Sequence, residues 1–178
     1  RNNRFPSARP VLAYAYQTGP ASLTLNAQLR KPQIAVRQLL TAHVESGVTR
    51  YSASFFYEIR FSGVKQLRID VPADFSDEIR TTSTTIRDAI IEPQPDDVED
   101  GFVAWEFRGE TEFLGNQQVG LQWDRKTDEL EVGSSFDFEL PRLVPRGVDR
   151  AWGQIILAKA ESLDIQPASQ MSGLRPID

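Results

Sequence analysis

From Tyr51 to Phe61 apolar and polar positions alternate: Tyr51, Ala53, Phe55, Tyr57, Ile59 and Phe61 take the odd positions, and Ser52, Ser54, Glu58 and Arg60 fill most of those between. A period of two is the mark of a strand with one buried face, so 49–61 is predicted as a strand. The preceding segment, 34–45, alternates in the same way through Ile34, Val36, Leu40, Ala42 and Val44. A two-residue turn at Ser46-Gly47 sets Val36 opposite Tyr57, Leu40 opposite Ala53 and Ala42 opposite Tyr51, so both apolar faces coincide. That register decides for strand in 33–46, where Val36, Leu39, Leu40 and His43 also fit helical spacing. On the other side, a loop through Ser62-Gly63-Val64 would return 66–71 along the same strand, with Leu67 against Ile59 and Ile69 against Tyr57. The strand at 49–61 is thereby expected to be central.

The same reading predicts strands at 11–17, with Tyr14 and Tyr16 on one face, and at 22–30, where Leu23, Leu25, Ala27 and Leu29 alternate with Ser22, Thr24, Asn26, Gln28 and Arg30. Thr81–Thr85 is nearly all β-branched and suits a further strand. The stretch from Pro93 to Gly101, with two prolines and four acids, is the strongest break and separates two β-rich halves. Beyond it, a loop at 108–110 would pair Trp105 with Phe113, and one at 125–128 would turn Trp123 toward Leu130. Phe136, Phe138 and Leu140 alternate next, and 152–159 is a last strand, apolar on both faces at Ile155-Ile156-Leu157. About ten or eleven strands with no long amphipathic helix predict an all-β fold, an antiparallel β-sandwich with long strands. The expected organisation is a linker-like segment at 1–10, a sandwich domain over 11–166 with a subdivision point at 93–101, and a linker-like tail at 167–178.

Composition narrows the function more than it names it. Twenty basic against twenty-five acidic residues give a net charge of −5, without the basic face that nucleic acid recruits. No apolar run, Ile155–Ala158 included, approaches the ~20 residues of a membrane helix. With no cysteine there is no disulfide, zinc–thiolate site or thiol nucleophile. The first residue is Arg1, and both ends read as linkers, so the chain is expected to be a piece of a longer protein, a processed mature chain being the other reading.

No catalytic constellation emerges. His43 is the single histidine, on the polar face of its strand beside Glu45 and across from Arg50, and no G-x-S-x-G elbow supplies a serine for a triad. Asp96, Asp97, Glu99 and Asp100 lack the spacing of a calcium loop and read as a solvated acidic linker. No acid stands alone in an apolar run where burial would raise its pKa, and no glycine loop is built for phosphate. No catalytic residue, metal or cofactor is therefore expected. Trp105, Trp123 and Trp152 could stack on sugar rings, but alternation puts Trp105 and Trp123 on the core face. Leu143–Gly147 matches a thrombin recognition sequence, read here as coincidence within a loop.

One feature breaks the outer face. Phe56 is the apolar residue on the polar side of the central strand, opposite Arg37 and diagonal to Leu39 and Ala35. Phe56, Arg37 and Leu39 are accordingly the candidate binding residues, with Arg37 lying over the ring. A cover from the same chain, by the segment carrying Phe5, is the competing expectation. The resulting reading is a non-catalytic structural or protein-interaction module of a larger extracytoplasmic or cell-surface protein, whose partners are neighbouring domains or another protein. The alternative is a carbohydrate-binding module using exposed aromatic residues.

Overall fold

The computed structural model describes residues 11–167 and 173–177; residues 1–10, with Phe5, lie outside them. Seven strands form one mixed sheet: β1 (Gln33–Glu45), β2 (Val48–Pro72), β3 (Arg80–Thr81), β4 (Ile86–Ile90), β5 (Phe102–Lys126), β6 (Val144–Arg146) and β7 (Arg150–Lys159). Along the main path the order is β3-β5-β2-β1-β7, with β4 on β5 and β6 on β2. A 3₁₀ turn, Ala73–Glu78, tucks Phe75 and Ser76 inward.

The first hairpin has the expected register: Val36 faces Tyr57, Leu40 faces Ala53 and Ala42 faces Tyr51, and only Ser46-Gly47 separates the strands. The odd positions of β2 from Thr49 to Ile59 are buried, with Phe55 fully so and Tyr57 nearly so, but Phe61 is 54% exposed. β2 lies between β1 and β5 and is central, as its pattern predicts.

Beyond Phe61 the chain departs from expectation. It does not reverse at 62–64, and Leu67 and Ile69 do not meet Ile59 and Tyr57. β2 continues for 25 residues and pairs along nearly its whole length with the equally long β5. A tight hairpin needs left-handed residues at its tip. Here a positive φ occurs once in this stretch, at Phe61 (74°), and the pairing passes through a bulge between Ile59 and Gln66. One left-handed residue bends and twists a strand without reversing it. Its counterpart on β5 is Gly115, directly opposite Ile59 at φ 75°, where a side chain would be strained. Likewise there is no turn at 108–110: Trp105 pairs with Ile69, and Phe113 with Val64.

A straight 25-residue strand would run roughly 80 Å. Instead Leu67, Ile69, Val71, Trp105 and Phe107 from beyond the bulge join Val36, Leu40, Phe55 and Leu121 in one hydrophobic cluster. The acidic stretch at 93–101 thus connects strands that share one sheet and one core.

The strand count is also lower than expected. Residues 11–32 and 136–140 carry alternation but form no strand, and Trp123 does not face Leu130, because the chain leaves the sheet after Lys126. Of the stretch at 81–85, only Thr81 is paired. Alternation makes a strand only where it meets a partner: both edges of β1 are taken, by β2 and β7, and among the described residues no segment pairs with the outer edge of β7. The sheet is not purely antiparallel either: β7 runs parallel to β1. Asp149 sets that pairing, its backbone N–H donating to the Ile34 carbonyl (2.8 Å) while its Oδ2 accepts from the Ile34 N–H (2.7 Å). Gly153 permits the close approach, since a Cβ there would lie 2.7 Å from the Gln38 carbonyl oxygen.

Candidate functional site

The outer face of the β1–β2 hairpin gathers the predicted residues and adds one. Register places Arg37 opposite Phe56 and Leu39 opposite Ser54, while β7 sets Trp152 beside Arg37 and β5 sets Gln118 beside Phe56. A row Trp152–Arg37–Phe56–Gln118 therefore crosses four strands. The Arg37 guanidinium lies 4.8 Å from the centre of the Phe56 ring, and Arg150 lies 5.1 Å from that of Trp152. Each arginine is thereby held over a π face that attracts cations. Ala35, Glu58 and Asn116 complete a shallow recess around Arg37, Phe56 and Trp152. Phe56 and Leu39 are half-buried and Arg37 is exposed.

Sequence reasoning brought together Arg37, Phe56 and Leu39 and missed Trp152. Trp152 alternates with Gln154 and Ile156, but the face it shares depends on a parallel partner 115 residues earlier in the chain. The other two indoles point inward, Trp105 7% and Trp123 3% exposed, against 48% for Trp152. Trp123 is stacked between Tyr51 (5.1 Å) and Phe75 (5.6 Å).

The other candidate residues have structural partners. His43 lies on the outer face opposite Arg50, its Nδ1 3.1 Å from Glu45 Oε1. Asp97 and Glu99 of the acidic stretch meet arginines. Arg68 reaches from buried Asp70 (2.7 Å) to Asp97 (2.7 Å). Arg146 spans Asp70 (2.6 Å) and Glu99 (3.0 Å), and Arg142 adds a bidentate pair to Glu99. Asp70 has no exposed surface and faces both guanidinium groups, the arrangement that a buried carboxylate requires. Hydrogen bonding from Arg68 holds Asp97 below the ordinary carboxylate range, and Arg142, with Arg146, does the same for Glu99. Hydrogen bonding to Asp70 raises Arg146 above the usual guanidinium value. Leu143–Arg146, the thrombin-like stretch, is part of this fold: Leu143 is buried and β6 pairs with β2. Among the described residues no cluster of three or more histidine, aspartate or glutamate side chains is arranged to hold a metal.

No family model and no curated protein matches this chain. Among solved structures it is similar to the seventh ScaB type I cohesin from Pseudobacteroides cellulosolvens, at 10% identity and a TM-score of 0.31, over 75% of this chain and 98% of that one. A likeness at that level carries no argument, and the functional reading rests on the surface itself.

Proposed function

We propose that this chain is a non-catalytic structural or protein-interaction module of a larger, extracytoplasmic protein, its curled sheet working as a two-layered sandwich. Its contact surface is the outer face around Phe56. The observation that carries this is the row Trp152–Arg37–Phe56–Gln118. Two aromatic rings stand with Leu39 and Ile156 among the polar residues of this face, which is the composition of an interaction patch: aromatic and arginine anchors with polar neighbours. The ion pairs of Asp97 and Glu99 tie the acidic stretch to Arg68, Arg142 and Arg146.

A photo-crosslinking side chain in place of Phe56, in the protein produced by its native host, tests the proposal. The expected result is a specific crosslink to a neighbouring domain or a second protein, absent from the same probe at Arg87 on the exposed side of β4. Equal labelling from both positions overturns it. The carbohydrate-binding reading has less support, because two of the three indoles are in the core and the third is faced by Arg150.

A further inference from the structure

Two parts of this chain have the features of a strand pair and are not paired with each other. The first is the outer edge of β7. Among the described residues β7 bonds only to β1, and all ten of its residues are exposed. Ile155 and Leu157 sit beside Leu40 and Ala42 on the core face of the sheet, yet they are 39% and 46% exposed. The core therefore has an open flank along β7. A long apolar edge strand with its backbone groups unclaimed is a template for another strand. The second part is 22–30, which has no regular secondary structure, lies outside the sheet and is exposed at Leu23, Leu25 and Leu29. Its period-two pattern leaves Leu23, Leu25, Ala27 and Leu29 on one face, the face of a strand that expects a core beneath it.

We propose that residues 22–30 of one copy add as a strand to the β7 edge of a second copy, seating their leucine face over Ile155 and Leu157. The lengths agree, since nine alternating positions meet a ten-residue edge. The occupant is a second copy because a chain's own arm is tied on the wrong side. The Arg30 guanidinium lies 5.0 Å from the centre of the Phe61 ring, and the Arg30 carbonyl accepts a hydrogen bond from Ser62 Oγ. Phe61 and Ser62 belong to β2, which flanks β1 opposite β7, so the end of the arm is anchored two strands away from its own chain's open edge. Main-chain hydrogen bonds would supply affinity and the leucine positions the register, as in strand addition generally. This contact uses the edge of the sheet and stands apart from the face around Phe56.

Sedimentation velocity over a concentration series, with the intact chain, tests it. The expected result is reversible association that Leu23→Lys with Leu25→Lys weakens by about tenfold or more, because a charge cannot sit over the core flank. Those leucines are exposed in the isolated fold, so circular dichroism of the variant should be unchanged. Ile155→Lys with Leu157→Lys should weaken association equally. Mixing the arm-defective and edge-defective chains should restore one contact and yield a one-to-one dimer. Hydrogen exchange should show 150–159 gaining protection as the chain associates. A monomer at every concentration, association indifferent to the arm variant, or protection of 22–30 in the monomer each overturns the proposal. The last outcome would mean that the arm lies on its own chain.

Discussion

Neighbouring residues of β2 have opposite consequences because the strand has two different faces. Phe55 is fully buried, and its truncation to alanine should cost ~3–5 kcal/mol by chemical denaturation. Phe56, one position on, is half-buried under Arg37, and Phe56→Ser should cost about 1 kcal/mol or less. Tyr57 turns back inward, and its hydroxyl is buried without a hydrogen-bond partner among the described residues. Burial pushes that hydroxyl well above the ordinary tyrosine value of 10.0. A raised pKa means the contribution is fully present below pH 10.0 and is lost as pH climbs beyond it, because only the unfolded chain can then ionise. Alkaline titration followed by circular dichroism should show the loss. Tyr57→Phe should blunt it, with stability at neutral pH unchanged or higher, since an unpaired hydroxyl contributes nothing to the core.

At the scale of elements, β7 and the Asp70 network show how long-range pairs hold short pieces. β7 is kept in register by the two hydrogen bonds between Asp149 and Ile34 and by the absence of a side chain at Gly153. Asp149→Ala or Gly153→Val should therefore speed hydrogen exchange in 150–159 while leaving β2 and β5 protected. Asp70 joins β2 to β6 through Arg146 and also pairs with Arg68 of its own strand. Removing it leaves two guanidinium groups facing an empty, partly buried position, so Asp70→Ala should lose on the order of 3 kcal/mol in a denaturation midpoint experiment. Asp97 and Glu99 lie farther out and contribute less because water and salt screen them. Their pKa values are depressed, so their contribution is present above the ordinary values of 3.8 and 4.5 and lost as pH falls below them. Melting temperature should decline in that acid window, and less steeply in high salt.

For the molecule as a whole, the legible part came from short-range physics. Period-two alternation and a two-residue turn determine which side chains of 34–45 and 49–61 stand opposite each other. The hairpin register, the buried Trp105 and Trp123 and the Arg37–Phe56 contact were all readable from the residues themselves. Alternation has no direction, however, and does not say whether a chain turns back or runs on. At 62–64 and 108–110 that choice belonged to one left-handed residue, Phe61, and to the 25-residue partner that lets both long strands satisfy their backbone groups together. Nor does alternation say which edge a segment reaches, which is why 22–30 has the pattern and no place in the sheet of its own chain. Sequence by itself determined the faces of the strands and the one ring out of place among them. Only tertiary structure decided which edges meet, because the parallel pairing of Ala35 with Arg150, and the position of Trp152 that depends on it, joins residues too far apart in the chain for any local pattern to record.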